Sequence, residues 1–568
     1  MCSAGKPVLL ASVLLTLSSC VALHQPVVPA VALHSQSAIQ LGALSQRNTL
    51  NQSNGLNQKN GLGQLDMQWP ETASQRAWVN NRRSFIGYQG QGELLLELGT
   101  TTALTFSING KTLHLRPDAS LGQHLVLDIS SVTRNGLNQL ELVDIEPLGA
   151  KVRVVLPYPA LQDVKAKAAQ DAGFSLAKLD ELDQLIQREV EQGFPGAVLL
   201  IAKDGKIIKE TAYGYANRYA SDGTELSQPE PMQTDTVFDL ASNTKMYATN
   251  YAIMQLVSAG KLDINLPLQH YLTEYQGNGR EQRLVSDLLY HSAGYAPEVH
   301  FHRPDNRHGP AFYSLDRTRS MQLIASEVPF ERERGGKAVY SDIDYMLLGL
   351  LIERITGQAQ DDYLEQQLYR PMGLNSTVFN PLRKGIAQSR IAATELDGNS
   401  RGGRVMFPAD KRGVVRGNVH DEKARYAFDG VAGHAGLFST ARETAALAML
   451  ALHGGYGLTP VFSQAVIQQF VRPSVTDHTV GLGWRTAVGG DLNWHFGPYA
   501  SAYAFGHTGW TGTATLVDPY YGLVVVLLTN KKHSPVLAEG ENSYYFAGDR
   551  FETGMYGSIM SKIYQAMQ

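Results

Sequence analysis

Residues 238–245 read Phe-Asp-Leu-Ala-Ser-Asn-Thr-Lys and lead directly into a helical pattern that ends near Gly260. Ser242 and Lys245 are three residues apart, so on a helix their side chains share one face and can meet. Ser242 would lie in the first turn, where unpaired N–H groups and the helix dipole favour developing negative charge. An amine in a desolvated pocket beside a hydroxyl can lose its proton and act as a base. The stretch predicts a serine nucleophile with a lysine partner.

The Ser-x-x-Lys spacing alone is a weak indicator, because the chain contains three further matches: Ser3/Lys6, Ser175/Lys178 and Ser258/Lys261. The first lies in the leader, the second at the approach to an amphipathic helix and the third at a helix end. The interpretation of Ser242 therefore depends on motifs further along the chain.

Length and composition bound the problem. A chain of 568 residues with 43% hydrophobic and 18% charged residues is typical of a soluble globular protein of two or three domains. A net charge of −4 argues against nucleic acid as a partner. The two cysteines, Cys2 and Cys20, precede the predicted folded region. No disulfide, cysteine nucleophile or cysteine metal ligand is therefore expected within it.

The N-terminal residues indicate export. Residues 1–20 combine Lys6, an apolar run from Val8 to Leu17 and small residues before Cys20. Leu-Ser-Ser-Cys at residues 17–20 resembles the lipobox of bacterial lipoproteins, which implies cleavage before Cys20 and lipidation of its thiol. Ordinary secretory cleavage or an uncleaved anchor are the alternatives. We expect a periplasm-facing lipoprotein, in the outer rather than the inner membrane because Val21 is not Asp. Residues 21–67, rich in Gln, Asn, Ser, Leu and Gly, predict a flexible linker.

Residues 68–160 predict a small all-β domain of the sandwich or jelly-roll type. Strand patterns occupy residues 94–98, 104–108, 112–115, 124–129, 140–145 and 152–156, with an Asn109-Gly110 hairpin signal. Trp69, Trp78 and Tyr88 offer a possible glycan contact, although buried aromatic side chains are the plainer interpretation.

Residues 170–568 predict a third, α+β domain. Apolar strand runs lie near both of its ends, at residues 197–202 and 206–209 and again at 513–517 and 523–528. Helical and loop patterns fill residues 246–470, including helices at 286–290 and 342–355. The pattern favours one antiparallel sheet flanked by helices, with a mostly helical subdomain.

Several motifs of this region together are similar to those of one family. They are Phe-Pro-Gly-Ala at residues 194–197, Ser-Asn-Thr-Lys at 242–245, Leu-Leu-Tyr-His-Ser-Ala-Gly at 288–294, Gly-Leu-Phe-Ser at 436–439 and Gly-Leu-Gly-Trp at 481–484. The chain resembles the serine β-lactamase and penicillin-binding protein superfamily, in its class C-like branch, over about residues 175–565. The resemblance implies a β-lactamase/transpeptidase-like fold and no cofactor.

The resemblance also implies residue roles. Tyr340-Ser341-Asp342 looks like the second family motif, and His507-Thr508-Gly509 looks like the third. Ser242 would be the nucleophile and Lys245 the acylation base. Tyr340, coupled to Lys245, would relay the proton to the leaving group or, if ionised, serve as the base in hydrolysis. The backbone N–H groups of Ser242 and Trp510 would form the oxyanion hole. No metal ligand is expected.

Two residues depart from the family pattern. Asp342 stands where Asn is usual, and a carboxylate only accepts hydrogen bonds, so it should pair with Lys245 and raise the pKa of that ammonium. His507 stands where Lys is commoner and carries at most a partial charge near neutral pH, which weakens attraction for a substrate carboxylate. Both departures argue against efficient β-lactam hydrolysis.

Three other residue clusters resemble functional sites. Gly-Asn-Ser-Arg-Gly at residues 398–402 fits a nucleophile elbow, but nearby Gly403 and Pro408 indicate a loop. His300, His302 and His308 with Asp305 lack metal-ligand spacing and predict a polar loop near the site. His420-Asp421-Glu422 and His434 are interpreted likewise.

The predicted function is a penicillin-binding serine hydrolase that acts through an acyl-enzyme as a D-alanyl-D-alanine carboxypeptidase on peptidoglycan stem peptides. One alternative is a class C-like esterase or amidase for small acyl groups, or a weak β-lactamase. Another is a non-catalytic peptidoglycan-binding protein, in which Asp342 locks Lys245.

Overall fold

The computed structural model describes residues 64–76, 81–117, 124–157, 167–398, 412–453, 456–458, 461–537 and 545–567. The predicted signal peptide with Cys20, most of the predicted linker, Trp78 and Ser400 of the elbow-like sequence lie outside these residues. Among the described helices, none is long and apolar enough to cross a bilayer.

Eight strands between residues 64 and 155 form two four-stranded antiparallel sheets, in the orders β1-β8-β3-β6 and β2-β7-β4-β5. The strands are β1 (Gln64–Gln68), β2 (Arg82–Gly87), β3 (Glu93–Glu97), β4 (Ala103–Ile108), β5 (Lys111–Leu115), β6 (His124–Asp128), β7 (Gly136–Glu146) and β8 (Lys151–Val155). Side chains alternate in burial along β4, as expected for strands with one face in a core. Asn109 and Gly110, both with positive φ, turn β4 into β5.

The sequence patterns located six of these eight strands. They missed β2, and β1 begins inside the stretch interpreted as linker. The boundaries of a separate 68–160 domain remain a prediction, because these sheets also contact the rest of the chain. Ile86 pairs with Gly457 as an isolated bridge, and the ring of Tyr88 lies 4.9 Å from that of Tyr456.

A seven-stranded antiparallel sheet organises the remaining residues, in the order β11-β10-β9-β20-β19-β18-β17. Its strands are β9 (Gly196–Lys203), β10 (Lys206–Tyr219), β11 (Glu225–Pro231), β17 (Arg485–Thr486), β18 (Phe505–Gly509), β19 (Thr513–Asp518) and β20 (Leu523–Thr529). The short strands are β12 (Phe238–Asp239), β13 (Val378–Phe379), β14 (Ala393–Glu395), β15 (Val415–Arg416), β16 (Leu437–Ser439), β21 (Val536–Leu537) and β22 (Tyr545–Phe546). The pairing of β9 with β20 confirms the predicted sheet built from both ends of the region.

The continuous apolar run of β20 reflects burial on both faces of the sheet. Val524, Val526 and Leu528 face one core, which they share with the helical region. Leu523, Val525 and Leu527 face a second core, formed with the first and last long helices of the region. This layered arrangement confirms the α+β prediction.

In sequence, α1 falls between β1 and β2, and the other helices follow β8. They are α1 (Ala73–Arg76), α2 (Ala168–Asp171), α3 (Leu176–Glu191), α4 (Tyr251–Ser258), α5 (Val285–Leu289), α6 (Arg317–Ser326), α7 (Asp342–Thr356), α8 (Gln360–Leu364), α9 (Arg370–Met372), α10 (Glu422–Ala427), α11 (Ala441–His453), α12 (Gln464–Val471), α13 (Asn493–Phe496) and α14 (Tyr556–Ala566). The predicted helices at 286–290 and 342–355 correspond to α5 and α7, and Gly357 ends α7 in the left-handed conformation.

Candidate active site

Ser242 and Lys245 meet as the three-residue spacing predicts, although the local backbone is not a regular α-helix. Ala241–Asn243 form a 3₁₀ turn, Lys245–Asn250 form a π-helical stretch, and α4 begins only at Tyr251. π-helical turns occur often at functional sites. The Lys245 Nζ donates a hydrogen bond to the Ser242 Oγ at 3.1 Å.

The turn that carries Ser242 is held in an unusual conformation. Ala241 has φ of 47°, a region that costs energy for a residue with a side chain. The Asp239 carboxylate accepts hydrogen bonds from the backbone N–H of Ala241 at 2.8 Å and of His420 at 2.7 Å. These contacts fix the serine in the cleft before any substrate binds.

Lys245 is fully buried and its ammonium is saturated with acceptors. Besides Ser242, its Nζ donates to Asp342 Oδ1 at 2.9 Å and to the carbonyl oxygen of His434 at 3.1 Å. It also lies 4.7 Å from the centre of the Tyr340 ring. Burial by itself would lower the pKa of the Lys245 ammonium, but Asp342 and Tyr340 together raise it above its ordinary value. Lys245 is therefore a cation in the resting site.

Asp342 opens α7 and lies between two lysines. Ser341 caps this helix, its hydroxyl accepting from the Ile343 N–H at 3.2 Å. The two carboxylate oxygens of Asp342 are divided, Oδ1 facing Lys245 and Oδ2 lying 3.4 Å from the Lys423 Nζ. Burial would raise the pKa of Asp342, but the charges of Lys245 and Lys423, with a smaller contribution from His434, hold the pKa below its usual range. The Asp342 carboxylate is therefore ionised and interacts with both lysines.

Lys423 is a buried cation that the sequence analysis missed. Its Nζ lies 3.1 Å from Glu298, 3.0 Å from Asp421 and 3.8 Å from Glu422, in addition to Asp342. We call these five residues the Lys423 cluster. Its sequence neighbours were interpreted as loop groups near the cleft, but nothing in the local pattern indicates that the lysine points at Asp342.

The predicted third motif lies on β18. His507 is buried, its ring centre is 5.9 Å from that of Tyr340, and its Nδ1–H donates to the Thr508 carbonyl oxygen at 2.7 Å. Burial, together with the nearby Arg485 and Lys245 cations, holds the pKa of His507 well below its usual value, so the ring is neutral. Gly509 follows where a Cβ would overlap the Leu240 carbonyl oxygen.

A cleft of about 320 Å³ brings the predicted site residues together. Its lining consists of Ser242, Tyr340, Arg485, Trp494, His507, Thr508, Gly509, Trp510, Lys531, Lys532 and Tyr556. The loop after Gly509 is tied to the serine turn, since Thr511 Oγ1 donates to the Asp239 carbonyl oxygen at 2.7 Å. Both residues of the predicted oxyanion hole therefore lie at one cleft, and their role stays a prediction.

Arg485 lines the cleft and was also missed by sequence reasoning. Arg485 begins β17 and directly follows the Gly-Leu-Gly-Trp motif. This position next to a family motif is the sequence feature that could have identified it as a site residue. Its guanidinium lies 5.3 Å from the centre of the Tyr340 ring, is half-buried, and has no ion-pair partner in the part of the chain that the structure describes. Lys531 and Lys532, by contrast, share the Asp549 carboxylate.

Two groups of side chains bring potential metal-ligand atoms within 4.8 Å of one another: His300, His302 and Glu422, and Asp342, Asp421 and His434. Lysine ammonium groups lie against both groups, 3.8 Å from Glu422 and 2.9 Å from Asp342. A cation at these positions opposes a second one. Asp305 forms a bidentate pair with Arg303. The expectation of a site without metal remains a prediction.

The aromatic residues suggested for glycan contact are placed differently. Tyr88 is 3% exposed and packs on Tyr456, so its ring is a core side chain rather than a binding platform. Trp69 packs partly buried against the same core. The exposed aromatic rings near the candidate site are instead Trp494 and Trp510, at the rim of the cleft.

Comparisons with known proteins agree with this geometry. A family model described as Beta-lactamase matches residues 182–549. The N-acetylmuramyl-L-alanine amidase of Bacillus subtilis (strain 168) is 46% identical over 408 residues, covering 70% of this chain and 91% of that protein. A putative D-alanyl-D-alanine carboxypeptidase of Escherichia coli (strain K12) is 41% identical over 419 residues, covering 72% and 95%. A penicillin-binding protein homolog from Caulobacter crescentus shares the fold at a TM-score of 0.50 and 20% identity, covering 69% and 99%.

Proposed function

We propose, on the premise that this chain belongs to the Beta-lactamase family and is a serine hydrolase, that it removes the terminal D-alanine from peptidoglycan stem peptides. In this proposal Ser242 is the nucleophile, and the reaction passes through an acyl-enzyme. The putative carboxypeptidases among its relatives support that choice of substrate.

The observation that carries the proposal is Arg485. A guanidinium without an ion-pair partner among the described residues lines the same cleft as Ser242 and is half-buried. Its fork of N–H donors matches a carboxylate, and such charge-assisted pairs are stronger than neutral hydrogen bonds. A substrate that ends in a free carboxylate one residue beyond the scissile bond would satisfy this cation. D-alanyl-D-alanine peptides have that form.

The proposed reaction uses groups already in contact. Ser242 Oγ attacks the carbonyl carbon of the penultimate D-alanine, and its proton passes to the Lys245–Tyr340 pair. The oxyanion lies against the N–H groups of Ser242 and Trp510. The pair then protonates the nitrogen of the leaving D-alanine as the C–N bond breaks. Water afterwards hydrolyses the ester at Ser242 and regenerates the free serine. Because Lys245 is a cation at rest, we expect the rate to rise with pH.

An amidase that cleaves the bond between N-acetylmuramic acid and L-alanine is the second candidate. The relative with that name is the more similar one, at 46% identity. The neutral His507 also favours it, because a site for an internal amide needs no cation at that position. Both candidates share the nucleophile and differ in which amide bond reaches it.

Digestion of defined muropeptides distinguishes the two candidates. A disaccharide pentapeptide is incubated with the protein, and products are separated and weighed by mass spectrometry. Release of D-alanine alone supports the carboxypeptidase, whereas release of the intact peptide from the sugar selects the amidase. Ser242→Ala is the matched control and should produce neither. A parallel reaction with a fluorescent penicillin tests the acyl-enzyme, and absence of a Ser242-dependent adduct would refute it.

We also propose that the protein is held at a periplasm-facing membrane surface by lipid on Cys20. The lipobox-like sequence before Cys20 supports this. Expression in a Gram-negative host with labelled palmitate, followed by membrane fractionation, is the test. Label and membrane association should both be lost in Cys20→Ala, and unchanged fractionation of that variant would contradict the anchor.

A further inference from the structure

We propose that Lys423 is a positioning residue for the hydrolase reaction: by taking one oxygen of the Asp342 carboxylate, it weakens the hold of Asp342 on Lys245 and so keeps the Lys245–Tyr340 pair able to accept a proton. The inference rests on the proposed role of Ser242 and Lys245. It explains how a carboxylate is tolerated at a position where an amide is expected.

The geometry divides one negative charge between two positive ones. Asp342 Oδ1 lies 2.9 Å from the Lys245 Nζ, and Oδ2 lies 3.4 Å from the Lys423 Nζ. If Asp342 faced Lys245 alone, the whole charge would stabilise the ammonium and oppose its deprotonation. The second ammonium offsets that charge through the other oxygen. It also places a positive charge near Lys245, which disfavours protonation there.

Burial strengthens the electrostatic interactions of Asp342 with the two lysines. Lys245 and Lys423 are both fully buried, so water screens their interactions with Asp342 poorly. Such a charge is retained in an interior only when it is paired. Lys423 meets this condition with Glu298 at 3.1 Å and Asp421 at 3.0 Å, which hold it in place independently of Asp342.

Further titratable groups surround Asp342 and the two lysines. Asp421 and Glu298 face Lys423, Glu422 lies 3.8 Å from it, and His300 contacts Glu298 at 3.3 Å. His434 reaches Asp421 at 2.9 Å through Nε2 and presents its carbonyl oxygen to Lys245. Arg485 and His507 lie beside the Tyr340 ring, at 5.3 Å and 5.9 Å from its centre. A ring nitrogen of His434 also lies within 4.8 Å of an Asp342 carboxylate oxygen, and Lys423 is the lysine that reaches Oδ2.

The test is the pH dependence of kcat/KM for a neutral nitrophenyl ester. In Lys423→Met, the acid limb of the profile should move to higher pH by about one unit, so that activity falls about tenfold on the limb and recovers in alkali. Lys423→Arg keeps the charge and should keep the limb within a few tenths of a unit. In an Asp342→Asn background, the same Lys423→Met change should move the limb by much less than one unit, because only the direct repulsion between the two ammonium groups is then lost.

Asp421→Asn keeps the proposal testable if Lys423→Met does not fold. Removing that competing carboxylate leaves Lys423 more strongly on Asp342, so the limb should move to lower pH. A limb that stays in place in Lys423→Met or in Asp421→Asn overturns the proposal. So does an equal loss of rate at every pH, because that outcome indicates structural damage alone. Wild-type protein that turns over no ester and forms no penicillin adduct would instead refute the catalytic role of Ser242.

Discussion

Replacing Arg485 by Gln tests the proposed carboxypeptidase activity, because the change should remove a preference for substrates that end in a carboxylate. The half-buried guanidinium of Arg485 has no ion-pair partner in the described chain, so a bound carboxylate would be its first. A hydrogen bond to a charged group contributes about 1.5–3 kcal/mol. Partial exposure of the site brings the expectation to about 2 kcal/mol, since water screens exposed charges. That loss corresponds to roughly a 30-fold fall in kcat/KM.

The assay compares two substrates on the same enzyme preparations. One is an acylated D-alanyl-D-alanine peptide with a free C-terminus, and the other is a neutral nitrophenyl ester. Arg485→Gln should lose about 30-fold on the peptide, mostly through KM, and less than threefold on the ester. Arg485 is one of the cations that lower the pKa of His507, so Arg485→Gln should raise that pKa. Measurement at pH 8 keeps the His507 ring neutral in every variant despite this change.

Two controls sharpen the comparison. Arg485→Lys keeps a point charge without the planar fork and should fall between wild type and Arg485→Gln on the peptide. Arg319→Gln removes a surface arginine that pairs with Glu327 on α6 and should change neither substrate. Equal losses on the peptide and the ester in Arg485→Gln would refute the reasoning, because the residue would then support the reaction itself and not the carboxylate.

Three further predictions follow from the same structure. Asp342→Asn removes the anion that raises the pKa of Lys245, so the acid limb of kcat/KM should move to lower pH, and a profile shifted upwards would contradict that sign. Gly509→Ala places a methyl group against the turn that carries Ser242, so the rate of penicillin labelling should fall at least tenfold. A variant that is labelled as fast as wild type would show that this turn can move to accommodate the methyl group. Leu527→Ala opens a cavity in the central sheet and should lower the free energy of unfolding by about 2–5 kcal/mol in a denaturant titration; a change below 1 kcal/mol would mean that the site collapses around the gap.

The parts of the fold and site that local patterns determine were predictable. The apolar runs of β9 and β20 are long enough to indicate buried strands before their pairing is known. Ser242 and Lys245 are close in sequence, so their contact follows from spacing alone. Tyr340 and His507 could be placed only through the resemblance to a family, because no local rule brings residues so far apart to one cleft.

The parts that depend on tertiary packing were not predictable. Lys423 looks like an ordinary helix residue in α10, and only the approach of α7 brings it to Asp342. The π-helical stretch after Ser242 escaped because a 3.6-residue periodicity describes most helices well, and local widening leaves little trace in the sequence. The strand β1 escaped because its Gln-rich surroundings are typical of linkers.

The position of β9 beside β20 constrains the order in which this protein can become active. A ribosome delivers β20 about 320 residues after β9 (523 − 203), so β9 keeps an unpaired edge while the intervening chain is synthesised. Ladders between such distant segments form slowly, after a large loop has been closed. The serine turn lies against β18 and β19, which also emerge late. A growing chain is therefore catalytically silent until β18, β19 and β20 have been synthesised.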